Sequence, residues 1–423
     1  MIRFFYNLLW PIGLLFFLPN YLGKMFRRGG YRDGFGARLG FYPRDFARQN
    51  CACPPTWIHA VSVGETAIAL KLAGALRVSR PDLRCVLTVT TTTAHAMALR
   101  AAESWLQVIY SPLDFYPIMR RAFRAIRPRR IILIEAEVWP NMVSEASLRS
   151  IPIMLANARL SRRSESRFRR ARFFVAPFFQ KLSAVCVPAA ADVPRWQALG
   201  VAASRIFQTG SIKFDTASAP ATISPEIRET FERVASSRPV LLGGSTHFGE
   251  EEILAAAFVT LRKRFPDLFL IVAPRHIERS AQVEESLRKQ KVSFARRSAT
   301  DAGACDCLLL DTTGELANWY AVATVVFIGK SITARGGQNP VEAIVAGKPV
   351  LFGPHMENFD ALAQALLASQ GATEVTDEQS LAEEAGRLLA NPIARAESVR
   401  RAGEVIALHQ GATARTAEII EKL

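Results

Sequence analysis

Acidic side chains that could act on a substrate follow two apolar runs in the first half of the chain. Glu65 comes just after the run 57–63, with Gly64 before it, and Glu135 comes directly after the run 130–134. A carboxylate held at the first turn of a helix can remove a proton from a hydroxyl group. The same carboxylate can instead only complement the positive end of the helix dipole, and the spacing leaves both roles open.

A second acid, Glu137, lies two residues beyond Glu135 and is followed by Trp139. Two acids directly after a buried apolar strand are unusual, because a charge is costly to bury. We expect only one of the two carboxylates to face a ligand, and helix capping is the alternative role.

Basic side chains stand at two positions where they could stabilise an anion. Lys213 lies in the string 210–215, near the boundary between the halves of the chain, and Arg275 follows the apolar run 268–273. A guanidinium can pair with a phosphate through two parallel hydrogen bonds. The chain has no D-x-D motif for holding a divalent ion on a leaving diphosphate, so we expect Lys213 to stabilise a departing anion. A solvated lysine is the alternative.

Three glycine-containing strings in the second half, 243–247, 314–316 and 336–342, each precede a helical pattern. Backbone N–H groups at such turns can bind a phosphate or a carboxylate. In the third string, a Gly-Gly turn leads to Asn339 and then to Glu342 on the first helical turn, where an acid can bind ribose hydroxyls. N-capping would explain Asn339 alone, and the glycines of 243–247 could serve packing only.

The elements that must position these residues alternate between strand-like and helix-like patterns. We predict strands at 57–63, 84–92, 130–134, 151–157 and 184–187, and again at 239–243, 268–273, 307–310, 324–328 and 349–352, with a helical region at 377–423. This alternation predicts an α/β fold of two doubly wound, Rossmann-like domains. A Ser-, Thr-, Ala- and Pro-rich linker is predicted at 216–225, and a ligand cleft is expected between the domains.

The N-terminus is an apolar segment with a basic flank. Residues 4–22 are nearly all apolar or aromatic, and basic residues follow between positions 24 and 38. No small-residue cleavage site follows, which argues against a removed secretory signal. A single membrane span, a helix lying in the membrane interface and a helix packed on the protein body all remain open. The predicted domains are 1–40 for this segment, 41–215 for the first Rossmann-like domain and 216–423 for the second.

Composition excludes several classes of protein. With 49% apolar and 22% charged residues, the 423-residue chain is not disordered and is long enough for two domains. The net charge of +15 predicts an anionic partner; nucleic acid is not expected, because no DNA- or RNA-binding motif is present. The arginine-rich run 159–172 could bind anionic lipid headgroups or could be solvated. Six cysteines without metal-ligand spacing are expected to be reduced, as in a cytosolic protein.

Taken together, these strings resemble the 3-deoxy-D-manno-octulosonic acid (Kdo) transferases. The matching strings are WIHAVSVGE (57–65), EAEVWPN (135–141), ANARLS (156–161), TGSIKFD (209–215), GSTHFGEEE (244–252), APRHIER (273–279), GEL (314–316), and GGQNPVEA with GKPVLFGPH (within 336–355). They follow the order of the family and span nearly the whole chain.

The resemblance implies a GT-B glycosyltransferase architecture, in which the first domain binds a lipid acceptor and the second binds CMP-Kdo. It implies that Glu65 is the catalytic base and that Glu135 and Lys213 stabilise the transition state. It assigns the CMP contacts to Pro274, Arg275, Gly314, Glu315, Leu316, Asn339, Pro340, Val341 and Glu342. Transfer is expected to invert the anomeric configuration and to need neither a metal ion nor a cofactor.

The implied acceptor is the anionic lipid A precursor, lipid IVA, and the implied location is the cytoplasmic side of the bacterial inner membrane, whose lipids are further partners. Two positions depart from the usual family pattern, because Gln338 stands where a histidine is common and Lys330 where a small residue is common. One alternative is another GT-B nucleotide-sugar enzyme, either a UDP-sugar transferase or an epimerase. The other is a non-catalytic peripheral protein that binds anionic lipid.

Overall fold

The chain folds into two compact units. The computed structural model describes residues 2–13, 34–160, 162–215, 223–235, 238–299 and 305–423. The first unit comprises Met1–Asp215 with Gly411–Leu423, and the second comprises Thr216–Gln410. Each contains a parallel sheet accompanied by helices, so the predicted α/β class is confirmed. The predicted linker falls mostly on 216–222, outside the described residues.

In the first unit the described strands form one parallel seven-stranded sheet. They are β1 (Thr56–Ala60), β2 (Cys85–Val89), β3 (Leu106–Tyr110), β4 (Arg130–Ile134), β5 (Ile153–Ala156), β6 (Ala184–Val187) and β7 (Ile206–Gln208). The order across the sheet is β3-β2-β1-β4-β5-β6-β7, so β1 and β4 are neighbours at the point where the winding reverses. Open α/β sheets bind ligands at the carboxyl ends of the strands at such a point.

Helices cover both faces of this sheet. They are α1 (residues 2–13), α2 (Phe35–Arg38), α3 (Arg44–Ala52), α4 (Val63–Ser79), α5 (Thr92–Arg100), α6 (Tyr116–Ile126), α7 (Pro140–Leu148), α8 (Arg162–Arg170), α9 (Arg172–Phe179) and α10 (Val193–Ala198). Adjacent residues of one strand enter different cores, since Trp57 packs in the cluster of Leu133 and Ile58 packs in the cluster of Ile132. Burial on both faces explains why the central strands are apolar throughout.

The second unit repeats this design. Its described strands are β8 (Val240–Thr246), β9 (Phe269–Pro274), β10 (Phe294–Arg296), β11 (Cys307–Leu309), β12 (Val325–Ile328), β13 (Val350–Phe352) and β14 (Ala372–Glu374), in the order β10-β11-β9-β8-β12-β13-β14. Its helices are α11 (Pro225–Ala235), α12 (Glu250–Arg262), α13 (Ser280–Lys289), α14 (Leu316–Tyr320), α15 (Val341–Val345), α16 (Asp360–Ala368), α17 (Glu378–Ala390) and α18 (Pro392–Ala407). Here β8 and β12 are the neighbours at the reversal of the winding.

The last helix, α19 (Ala412–Glu421), belongs to the first unit and not to the predicted second domain 216–423. Its residue Ile420 is fully buried in the core cluster of that unit. Arg130, at the start of β4, donates a hydrogen bond to the carbonyl of Ile420, and Arg80 lies 2.5 Å from the carboxylate of Glu421. The helical pattern at 377–423 was predicted correctly, but periodicity alone does not show which core a helix joins.

The N-terminal helix α1 packs on the first unit through Arg3 and Asn7 and through the partly buried Ile2 and Trp10, while several of its other apolar side chains are exposed. Arg3 lies 2.5 Å from Glu145 of α7, and Asn7 exchanges hydrogen bonds of 2.9 Å with Asn141. The exposed side chains of α1 include Phe4, Phe5, Leu8, Leu9 and Ile12. Residues 2–13 are therefore packed on the first unit, and the rest of the predicted apolar segment, 14–22, lies outside the described residues. In the described part of the chain, no helix has the length and apolarity needed to cross a bilayer.

Candidate active site

Glu65 lies on the first turn of α4, immediately after β1, as the sequence predicts. Its carboxylate accepts hydrogen bonds of 2.8 Å from the N–H of Val61 and from the hydroxyl of Ser62. Ser62 is the N-cap of α4 and accepts a hydrogen bond from the N–H of Glu65 at 3.3 Å. Ser62 therefore caps α4, and Glu65 bonds back to the capping side chain, so the alternative role of the acid at the helix terminus is present in the fold.

Glu135 follows β4, the strand beside β1, and its backbone adopts a left-handed conformation with a φ of 60°. Such conformations are costly for residues other than glycine and are common at functional sites. Its carboxylate lies 4.0 Å from the guanidinium of Arg159. Burial raises the pKa of Glu135; Arg159 lowers it, Glu65 raises it and Lys213 lowers it.

Glu137 belongs to the same group of charges. Burial, together with the negative charges of Glu65 and Glu135, raises its pKa to about 7. Whether only one acid of the pair faces a ligand stays a prediction. The chain leaves β4 through a left-handed turn at Glu135, and both carboxylates lie within the field of Glu65.

Lys213 lies beyond β7 and is the cation of this group. Burial and the positive charge of Arg159 lower the pKa of its ammonium group to about 8, against the opposing effect of the Glu135 carboxylate. The structure therefore brings the three predicted catalytic residues, Glu65, Glu135 and Lys213, into one electrostatically coupled group in the first unit. Whether they act in catalysis stays a prediction.

Arg159 is the member of this group that the sequence interpretation missed. It heads the arginine-rich run 159–172, which suggested a solvated or lipid-binding face. Instead it lies just beyond β5 and pairs with Glu135. The available signal was its position after a buried strand, since residues at the carboxyl ends of neighbouring parallel strands lie at one edge of the sheet.

In the second unit, Arg275, Asn339 and Glu342 lie close together. Asn339 accepts a hydrogen bond from the N–H of Val341 at 3.1 Å and donates one to Glu342 at 3.5 Å. Burial raises the pKa of Glu342, while Asn339 and the positive charge of Arg275 act against this rise. Pro340 comes just before α15, where its φ of −83° suits a helix start. A carboxylate and a cation are thus available side by side at this edge of the sheet.

The remaining predicted nucleotide contacts lie at or beyond the carboxyl ends of two neighbouring strands, β9 and β11. Pro274 is the last residue of β9, and Gly314 precedes α14 with a φ of 88°. Leu316 begins α14. The carboxylate of Glu315 is already engaged, because it accepts hydrogen bonds from Arg297 at 3.2 Å, from Thr312 at 3.2 Å and from Trp319 at 3.3 Å. Glu315 therefore shapes the turn before α14 through its side chain.

The string 243–247 is not the glycine-rich turn that the sequence suggested. Strand β8 continues to Thr246, so Gly243 and Gly244 lie inside it. A Cβ atom on Gly243 would lie 2.3 Å from Leu254, and one on Gly244 would lie 2.4 Å from the hydroxyl of Tyr320. The packing explanation for these two glycines is the one that the structure supports.

Glu250, at the start of α12, is a buried acid that the sequence interpretation did not single out. Its carboxylate accepts hydrogen bonds from the N–H groups of His247 at 2.8 Å and of Lys330, Ser331 and Ile332 at 2.6, 2.7 and 3.0 Å. It therefore ties the segment after β8 to the loop after β12, which contains one of the two departures, Lys330. The available signal was a glycine followed by three acids at a helix start.

Comparison with known proteins shows the family to which this sequence belongs. Residues 33–216 match the family described as 3-deoxy-D-manno-octulosonic-acid transferase (kdotransferase). The chain is 31% identical to the 3-deoxy-D-manno-octulosonic acid transferase of Haemophilus influenzae over 92% of this chain and 91% of that protein. It is 33% identical to the enzyme of the same name from Bordetella pertussis, over 90% of this chain and 91% of that protein.

Solved structures confirm the fold. The UDP-GlcNAc 2-epimerase of Neisseria meningitidis aligns with 87% of this chain and 100% of its own, with a TM-score of 0.59 and 12% identity. At that identity the likeness concerns the fold alone, which is of the GT-B type, and does not favour an epimerase. The two transferases, in contrast, match over nearly their full length at identities above 30%. The chain therefore belongs to the Kdo transferase family and is a glycosyltransferase.

Proposed function

We propose that this enzyme transfers Kdo from CMP-Kdo to a hydroxyl group of lipid IVA, with inversion at the anomeric carbon and without a metal ion, as a step of lipopolysaccharide biosynthesis. The observation that carries the proposal is the coupled group of Glu65, Glu135 and Lys213 at the carboxyl ends of the strands of the first unit. Family membership supports Kdo as the transferred sugar.

The proposed base is Glu65. Two hydrogen-bond donors fix its carboxylate at the end of β1, the strand next to β4. A carboxylate oxygen can accept more than one hydrogen bond, so each oxygen retains a lone pair for a substrate hydroxyl. In the proposed step the hydroxyl oxygen attacks the anomeric carbon of Kdo while Glu65 takes the proton. A single displacement of this kind inverts the configuration.

The leaving CMP carries away the bonding electron pair, and cations stabilise it. Lys213 is one candidate, because Glu135 lies near its ammonium group and favours the charged form. Arg275 is the other, since it sits beside Glu342 and Asn339 at the strand ends of the second unit. Cationic side chains and the absence of a D-x-D motif together support transfer without a metal ion.

We propose that the enzyme is located at the cytoplasmic side of the inner membrane and that α1 and α9 form the surface that contacts the lipid. Phe4 in α1 is 67% exposed and Phe173 in α9 is 78% exposed, although both helices pack on the first unit. Exposed apolar side chains on the outer face of a helix suit a lipid interface. Arg169, Arg170 and Arg172 lie exposed beside Phe173 and would attract anionic lipid headgroups.

Product analysis tests the reaction. Purified full-length enzyme is incubated with CMP-Kdo and detergent-dispersed lipid IVA; the lipid product is analysed by mass spectrometry and the anomeric configuration by NMR. UDP-N-acetylglucosamine serves as the competing donor. We expect CMP release coupled to addition of Kdo with inverted configuration. Transfer only from the UDP-sugar, or retention of configuration, contradicts the proposal.

Vesicle binding tests the location. We expect the enzyme to cosediment with vesicles containing phosphatidylglycerol and to bind phosphatidylcholine vesicles more weakly. Replacing Phe173 and Phe174 by serine should lower binding, whereas Phe248→Ser, an exposed phenylalanine of the second unit, is the matched control. Equal binding of both variants and the wild-type protein would exclude α9 as the lipid-facing surface.

A further inference from the structure

Asn157 is completely buried beyond β5 and holds the chain that leads to Lys213. Its side-chain oxygen accepts a hydrogen bond of 3.0 Å from the N–H of Ile212 and one of 3.2 Å from the hydroxyl of Ser211. One amide oxygen thus fixes the two residues that immediately precede Lys213.

The other end of the same turn is also fixed. The carboxylate of Asp215 accepts hydrogen bonds from the N–H groups of Gly411 at 2.8 Å and Thr413 at 2.7 Å, at the start of α19. Lys213 therefore stands in a short segment held by a buried amide on one side and by a helix N-terminus on the other. The position of its ammonium group depends on both.

The segment that contains Asn157 also contacts Glu135, the acid that interacts with Lys213. The N–H of Glu135 donates to the carbonyl of Ala156 at 3.0 Å, and Arg159 reaches the carboxylate of Glu135. Residues 156–159 therefore connect the proposed transition-state acid with the proposed transition-state cation.

We propose that Asn157 is a positioning residue that sets the place and the charge of Lys213 in the transfer reaction. This inference rests on the proposed function, in which protonated Lys213 stabilises the leaving group. The residue type fits this role in two ways. Asparagine tolerates the left-handed backbone seen here, with a φ of 54°. It also supplies the acceptor oxygen without adding a charge to a site where Arg159 and Glu135 face Lys213.

The informative variant is Asn157→Gly, because glycine keeps the left-handed backbone and removes the side-chain amide that holds residues 211 and 212. Lys213 has a pKa lowered to about 8 by burial and by Arg159, against the opposing charge of Glu135, so activity should fall as the pH rises through that value. In the variant a loosened turn exposes Lys213 to water, and the alkaline limb of the kcat profile should move to higher pH. We expect kcat to drop roughly 10- to 100-fold, since small misplacement of a catalytic group has effects of that size.

Three further variants make the test decisive. Asn157→Asp retains acceptor oxygens and should keep the hydrogen bonds from residues 211 and 212. Its added negative charge should shift the pH profile of kcat. Lys213→Arg should remove the alkaline limb, which shows that Lys213 causes it. Asn50→Ala removes a buried asparagine of the same unit far along the chain, whose side chain donates to the carbonyl of Ala125, and should leave the limb in place.

The outcomes separate the two proposals. A shifted limb in Asn157→Gly, with an unshifted one in Asn50→Ala, supports the positioning role. The positioning role is overturned if the wild-type enzyme is active and the alkaline limb of the kcat profile lies at the same pH in Asn157→Gly. A loss of folded protein cannot explain a moved limb, because it lowers only the amplitude of the profile. A wild-type enzyme that transfers nothing from CMP-Kdo contradicts the proposed function instead.

Discussion

The hydroxyl of Ser62 donates a hydrogen bond of 2.8 Å to the carboxylate of Glu65, while the N–H of Glu65 donates back to Ser62. The acid that we propose as the base is therefore also part of the cap of α4. The sequence left these two roles as alternatives, and the geometry makes them compatible. A substitution at either residue should separate the structural contribution from the catalytic one.

Glu65→Gln should abolish most of the transfer activity and leave the fold intact. The amide keeps an oxygen that can accept from Val61 or Ser62, but it cannot remove a proton. We expect kcat to fall by about 10²- to 10⁴-fold, the usual contribution of a general base. Steady-state CMP release with lipid IVA measures the change, and thermal unfolding checks the fold.

Ser62→Ala is the matched comparison, because it removes the cap and keeps the acid. It should lower the free energy of unfolding by about 1 kcal/mol, as for other N-caps, with a much smaller loss of kcat. Equal losses of activity in the two variants would mean that Glu65 matters only through the helix terminus.

Glu137 should make the folded protein less stable at alkaline pH. Its pKa is raised from 4.5 to about 7 by burial and by the charges of Glu65 and Glu135. Folding therefore takes up a proton between these values, and the stabilisation present at low pH is lost as the pH rises through 7. Glu137→Gln should raise the free energy of unfolding at pH 8 by about 1–2 kcal/mol, since solvent screens part of the repulsion, and should change it little at pH 4.5.

Urea unfolding at the two pH values measures this difference. Glu103→Gln, which removes an exposed carboxylate of the same unit, is the control and should give no such pH dependence. A larger gain at pH 4.5 than at pH 8 would show that the pKa of Glu137 is not raised in the folded state.

The strands that the sequence did not predict are those at the edges of the sheets. Strands β3 and β7 flank the sheet of the first unit, and β10 and β14 flank that of the second. Each has partly exposed positions, such as Gln107 in β3 and Arg296 in β10. An edge strand needs apolar residues only where it meets a helix, so it lacks the continuous apolar run that marks a central strand.

Sequence reasoning found the two acids that follow β1 and β4, but it missed Arg159 after β5 and the residues that act through tertiary contacts. Glu65 follows β1 and Glu135 follows β4, and both positions can be inferred from local pattern. Asn157 and Asp215 act on residues about 55 and 196 positions away in the chain. Local periodicity carries no information about such pairs, so only the folded chain reveals them.

Glu250→Ala should weaken nucleotide binding by the second unit. Without the carboxylate, the N–H groups of Lys330, Ser331 and Ile332 lose their acceptor, and the loop after β12 is no longer held. We expect the Kd for CMP to rise by about tenfold or more, since leaving buried donors unsatisfied costs on the order of 1–3 kcal/mol each. Isothermal titration calorimetry with CMP measures the change. Glu252→Ala, two residues along α12 at an exposed position, should bind CMP like the wild-type enzyme, and an equal loss there would contradict the argument.

Chelation should leave the reaction unaffected. Because we propose that Lys213 and Arg275 stabilise the leaving group, initial rates with CMP-Kdo should be the same before and after dialysis against EDTA. Activity that disappears on chelation and returns with Mg²⁺ would show that a divalent ion carries this charge instead.

Truncation after Gln410 should destabilise the first unit selectively. The deletion removes α19, whose Ile420 fills the first core and whose Glu421 pairs with Arg80. It also removes the two N–H donors of Asp215, so that the turn carrying Lys213 loses one of its supports. We expect the free energy of unfolding of the first unit to fall by several kcal/mol, from the buried side chains and the unpaired polar groups together.

Hydrogen exchange measures this selective loss of stability. It should accelerate in β1 and β4 and stay unchanged in β8 and β12. The control is Lys422→Ala, at an exposed residue of the same terminus. Faster exchange in the second unit alone would contradict the prediction, because it would show that α19 stabilises the second unit and not the first.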